Sequence, residues 1–247
     1  MEKSAKKKSF AFHFSLMLLL LVVLGFGSRA VFLPEYWPPV RLALIVHIVV
    51  MAVWFFLVVT QSLLINRREV ATHMHIGQFG QLAALLVVVT GSLMIIELNL
   101  REFNWIQVVS NTGNMVTFAI FFGAAMVWRK DRVAHMRMIL FASLALMTPA
   151  LARLFQPFGA EALAMPAWFA LMAIIAVLDI QHFGSLTKAT WLGLAVSILS
   201  AVALVATLLV LGPEPPGAES ASASALHNQL AAIDLWSRHA TGSARVQ

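Results

Sequence analysis

Six of the chain's eight histidines lie in or beside long apolar stretches: His13, His47, His73, His75, His135 and His182. An ionisable side chain is costly in hydrocarbon, so one found there must pair, meet water or serve a function. Two imidazoles on facing helices can hold the iron of haem b. Three imidazoles with a carboxylate can hold zinc, copper or iron. The expected axial pair is His73 and His135, and the expected metal set is His73, His135, His182 and Asp179. His47, Trp54 and Gln61 form a third arrangement. They stand seven residues apart, which puts them on one helix face with Met51 and Val58 between them, a stripe able to line a cofactor or quinone pocket or to bond to neighbouring helices. The chain has no cysteine, which excludes thiolate-bound zinc, iron–sulfur clusters, disulfides and a thiol nucleophile. H-E-x-x-H, G-x-S-x-G and phosphate-binding glycine loops are absent as well.

The elements that must position these residues follow from composition. Of 247 residues, 60% are hydrophobic and 11% charged, where a soluble domain has about 45–50% and about 25%. Lipid is therefore the main solvent. A membrane-spanning helix needs about 20 apolar residues, and seven stretches meet or approach that length: 10–32, 42–65, 76–97, 107–128, 136–155, 163–181 and 188–211. Pro149 and Arg153 interrupt the fifth, and Pro166 opens the sixth. The expected fold is all-α, a polytopic transmembrane bundle of about seven spans. Residues 1–9 form a basic N-terminus, 10–211 the helical domain, and 212–247 a linker rich in Pro, Ser and Ala with a short amphipathic helix marked by Leu226, Leu230, Ile233 and Trp236.

The net charge of +6 is topological. With the N-terminus in the cytoplasm, that side receives Lys3, Lys6, Lys7, Lys8, Arg67, Arg68, Arg129, Lys130, Arg132, Arg137 and Lys188. The other side receives Arg29, Arg41, Arg101, Arg153, Arg238 and Arg245. This is the positive-inside pattern of a protein of the bacterial inner (cytoplasmic) membrane with its C-terminal tail outside. Nucleic-acid binding is not needed to explain the charge. The first apolar stretch is long for a signal peptide and lacks a clean A-x-A site, so it is expected to be a retained anchor. Tyr36, Trp37, Trp105, Trp128 and Trp191 fall near span ends, as an interfacial aromatic belt requires.

Helical angle orients the polar residues. His73 shares a side with Gly77, Gly80, Ala84 and Gly91, and small residues let membrane helices approach closely, so His73 is expected to face the bundle. His75 lies about 200° away, so the pair is not expected to grip one metal from a regular helix. On a straight fifth span His135, Ala142, Pro149 and Arg153 share a face. Arg153 is expected to pair with Glu97. Asp179 is expected to pair with His182, with Arg137 or His135 able to join. Asn111, Asn114 and Thr117 are expected to bond between helices.

Four segments, HIVVMAVWFFLVVTQSLLI, ATHMHIG, RKDRVAHMRMILFASLALMTPALARLF and VLDIQHFG, resemble an uncharacterised group of bacterial polytopic inner-membrane proteins with histidine-containing helices. The resemblance covers about residues 42–195. By position it singles out His47, Trp54, Gln61, His73, Gly77, His135, Arg137, Arg153 and Asp179. The chain departs from that group where T-H-M-H-I-G stands in place of two basic residues after His73.

The leading expectation is a membrane protein that binds haem b or a transition metal near the cytoplasmic face. The alternatives are a non-catalytic assembly subunit with no cofactor, working with other membrane subunits, and a small-solute or proton-coupled transporter. No long internal repeat supports an inverted-repeat transporter.

Overall fold

A computed structural model describes residues 2–33, 41–101 and 104–211, the side chains of residues 2–9, 101 and 208 excepted. The described residues form eight α-helices and two short 3-10 turns. The helices are α1 (Glu2–Phe32), α2 (Leu42–Asn66), α3 (Val70–Arg101), α4 (Trp105–Val127), α5 (Arg132–Ala145), α6 (Thr148–Phe155), α7 (Ala164–Phe183) and α8 (Lys188–Leu211). Six helices are long and apolar enough to cross a membrane, and the bent pair α5–α6 passes the same test when its two helices are taken together, which gives six to seven candidate spans. The protein is thus a multi-span helical membrane protein. Tyr36, Trp37 and the tail with Leu226, Leu230, Ile233 and Trp236 lie outside the described residues.

The fifth span differs from the straight helix expected. It breaks at Leu146–Met147, where the N–H groups of both residues bond three residues back, to Ser143 and Leu144. Pro149, at the start of α6, offers no N–H to the Ala145 carbonyl and its ring crowds that carbonyl. The chain bends by 47°. At the break Trp168 of α7 donates its indole N–H to the Leu144 carbonyl at 2.8 Å, a second donor to an oxygen that also accepts from the Met147 N–H. The bend turns α6 onto α1, where Gly25 meets the Ala150 backbone so closely that a Cβ would stand 2.2 Å from the Ala150 carbonyl oxygen.

α5 is the hub of the bundle, packing against α1, α4, α7 and α8. Arg137, Met138 and the whole run Leu140–Ala145 are buried. Phe141 fills the space left by Gly193 of α8, whose added Cβ would come within 2.2 Å of the ring. The neighbouring pairs α1–α2, α2–α3 and α3–α4 complete the bundle. The short turns after α2, α4 and α7 share one end of the bundle, called here the basic end because Arg67, Arg68, Arg129, Lys130 and Lys188 lie there.

Candidate functional site

The regular helix of α3 already runs through Val70–His75, so the angular argument holds: His73 is half-buried and His75 is exposed. Gln61 of α2 reaches across to α3. With its amide oriented by its partners, its NH2 donates to the His73 carbonyl at 3.1 Å and to His73 Nδ1, while its oxygen accepts from the Gly77 N–H at 3.1 Å. The side chain thus straddles one helical turn of α3 and holds the His73 ring at the same time.

His135 begins the second turn of α5. Asp131 caps that helix, accepting from the N–H groups of Val133 and Ala134 at 2.9 and 3.1 Å. The His135 Nδ1 donates to the Ala125 carbonyl at the end of α4, at 2.8 Å. His73 and His135 are near enough for their charges to interact. Gln61 and His73 are therefore brought together from α2 and α3, with His135 of α5 at the same end of the bundle and within range of the His73 charge.

The tautomers follow from these partners. A carbonyl only accepts, so His135 carries its ring proton on Nδ1 and keeps a lone pair on Nε2. An amide NH2 only donates, so neutral His73 keeps its lone pair on Nδ1 and carries its proton on Nε2. The two rings have opposite tautomers.

The rest of the His47–Trp54–Gln61 stripe is spent elsewhere. His47 Nδ1 bonds to Thr90 Oγ1 at 3.0 Å, tying α2 to α3. It lies 14 residues from Gln61, roughly 21 Å along α2. Trp54 is buried edge-on against Phe118 and Phe122 of α4, with its indole N–H unpaired.

The expected metal set does not gather. Among the described residues no group of three or more His, Asp or Glu side chains is placed to hold a metal ion. Asp179 is engaged otherwise. Its Oδ1 accepts from Arg137 Nε at 2.9 Å and from Arg137 Nη2, while its Oδ2 accepts from the Thr187 N–H at 3.0 Å and hydroxyl at 2.7 Å. Both side chains are sealed from solvent, at 3% and 0% exposure. Of the partners expected for Asp179, Arg137 forms the ion pair and His182 does not join it. The physical reason is reach: Arg137 sits on the central helix, whereas His182 is half-buried beside Phe183 on the Asp179 helix itself. Arg137 also lies over the Phe10 ring at 5.2 Å.

The expected Glu97–Arg153 pair is corrected as well. Glu97 pairs with Arg41 at 3.2 Å. Arg153 donates to the Pro149 carbonyl at 2.9 Å and lies over the Phe26 ring at 4.8 Å. The bend between α5 and α6 carries Arg153 to α1 and away from α3, so His135, Ala142, Pro149 and Arg153 share no straight face. Asn114 and Thr117 bond between helices as expected, to Thr148 at 2.9 Å and Ser200 at 3.0 Å.

Sequence reasoning missed three partners. Ala125 contributes only its carbonyl, which no residue type announces. Phe10 is one apolar residue among many. Thr187 does carry a signal: it lies directly before α8, where a Thr is expected as a cap, and its hydroxyl accepts from the Thr190 N–H at 3.2 Å.

Comparison with models of protein families, with curated proteins and with solved structures gives no match to this chain.

Proposed function

We propose that this multi-span membrane protein handles protons through the His73–His135 pair. The reading is supported by the opposite tautomers that the hydrogen-bond partners imply for the two imidazoles. Neutral His73 offers a proton at Nε2 and neutral His135 a lone pair at Nε2, the complementary ends that proton sharing requires. An added proton settles on His135 Nε2, and the resulting imidazolium keeps its Nδ1–H bond to Ala125. Histidine suits this work because its ordinary pKa places the charge change near neutral pH. Gln61 fixes His73, and Asp131, the cap of α5, is the nearest acid along the chain of His135. The absence of an internal repeat argues against one transporter design but not against a fixed proton site. The positive-inside pattern supports a location for this site at the cytoplasmic face of the bacterial inner membrane.

Nitrogen-15 NMR of histidine-labelled protein in nanodiscs tests the reading. The expected spectrum above neutral pH shows His73 protonated on Nε2 and His135 on Nδ1, assigned by His→Gln variants. Acidification should add about one proton to the pair before either site saturates. Two Nδ1-protonated rings that titrate independently would overturn it.

Haem b or a transition metal is the second reading, favoured by His135 itself. A ring held by Nδ1–H···O=C leaves Nε2 as the ligand, the usual outer-shell support of a metal-bound imidazole. His73 joins through Nε2 only if the Gln61 amide turns over and accepts from His73 Nδ1. Protein purified from haem- and metal-replete cells should then show a Soret band or stoichiometric metal, and neither would remain in His135→Gln. A spectrum without the band, together with a metal-free assay, removes this reading.

A further inference from the structure

We infer that the groove between the N-termini of α5 and α8 binds an anionic phospholipid of the surrounding membrane. The groove lies at the basic end, is open on one side and offers about 420 Å³, within the size range of small-molecule sites. Trp128, Val133, Ala134, Phe183 and Ala189 make its walls apolar, and Lys188 stands among them. Such walls suit a length of acyl chain, and Trp128 and Phe183 suit the level of the glycerol backbone, where aromatic rings collect.

The charge at the mouth selects the headgroup. Arg129, Lys130 and Arg132 are exposed on the turn that forms one wall, beside Lys188 of the other. Among the described residues none of these four cations makes an ion pair. The acid and the hydroxyl that line the groove are already occupied: Asp131 caps α5, and Thr187 is bound to Asp179 and Thr190. With the one carboxylate of Asp131 against four cations, the mouth keeps an excess of positive charge. A basic pocket between spanning helices is the recognised setting for an acidic headgroup. The apolar walls require an attached chain, which a free phosphate ion does not have. This inference does not depend on the histidine pair.

Native mass spectrometry of the full chain, delipidated in detergent, tests it with phosphatidylglycerol and phosphatidylcholine as probes. Phosphatidylglycerol should bind at least about fivefold more tightly, as one or more surface cations near an acidic headgroup predict. Lys188→Glu should erase that preference while leaving the melting temperature of the lipid-free protein unchanged. Ala134→Phe, which fills the groove, should weaken both lipids; if that variant fails to fold, Arg132→Glu at the exposed rim should reduce the preference in its place. Equal affinity for the two lipids, or an unchanged preference in Lys188→Glu, would overturn the proposal. Displacement of phosphatidylglycerol by millimolar inorganic phosphate would overturn the commitment to a lipid and assign the mouth to a free anion.

Discussion

At the scale of single residues, the buried Arg137–Asp179 pair has the largest energetic stake. Both charges are shielded from solvent, and Asp179 accepts from Arg137 and twice from Thr187. Removing one member leaves the other charged and buried, which typically costs 3–5 kcal/mol, whereas replacing both by apolar groups of similar volume is often neutral. Asp179→Asn is therefore expected to destabilise by about 3–5 kcal/mol, and Arg137→Met with Asp179→Leu to recover most of that loss, measured by thermal unfolding in detergent. Equal losses in the single and double variants would show that the pair stabilises in its own right. Which residue meets Asp179 was only partly legible in the sequence. The spacing 179 to 182 marked a local partner, but a long side chain from a central helix outcompetes a neighbour on the same helix whose ring leans elsewhere. His73 was legible because small residues share its helix face. The anchoring of His135 was not, because its acceptor is a backbone carbonyl.

At the scale of elements, the seven apolar stretches and their order were readable because hydrocarbon thickness fixes their length. Pro149 marked the site of the break in the fifth. Its direction depends on what α6 packs against, which local sequence does not encode. Gly25 makes that contact measurable, and α1 carries its own control. An added Cβ at Gly25 meets the Ala150 backbone at 2.2 Å, while one at Gly27 meets nothing within 4 Å. Gly25→Ala is expected to lower stability by about 1–3 kcal/mol through overpacking, and Gly27→Ala to leave it within about 0.5 kcal/mol. Equal melting temperatures for the two variants would contradict the close approach of α1 and α6.

At the scale of the whole molecule, α8 and α5 stand apart in both polarity and burial. The spans of α2 and α8 have mean hydropathies of 2.9 and 2.7, and only 6% of the α8 window is buried. The central helix α5 carries Arg132, His135 and Arg137 within its first two turns. The apolar α8 turns most of its surface outward, and Arg137 of α5 is enclosed by protein, as the cost of charge in hydrocarbon demands. The orientation we infer can be checked directly because the chain has no cysteine of its own. A single Lys130→Cys, in the exposed turn after α4, should react with a membrane-impermeant maleimide only after inner-membrane vesicles or cells are opened from the cytoplasmic side. Labelling from outside intact spheroplasts would reverse the topology.

The separation of Arg137 from Asp179 sets a timetable for synthesis. The pair spans 42 residues, which at 5–20 residues per second takes about 2–8 s to translate. Throughout that interval the guanidinium on the future hub helix exists without its carboxylate. An unpaired guanidinium in the fifth span is costly in lipid, so the span is expected to shelter against protein, or to hold its charge at the interface, until α7 emerges. The ion pair at the hub helix is completed late in translation, with α8 the one described helix still to follow.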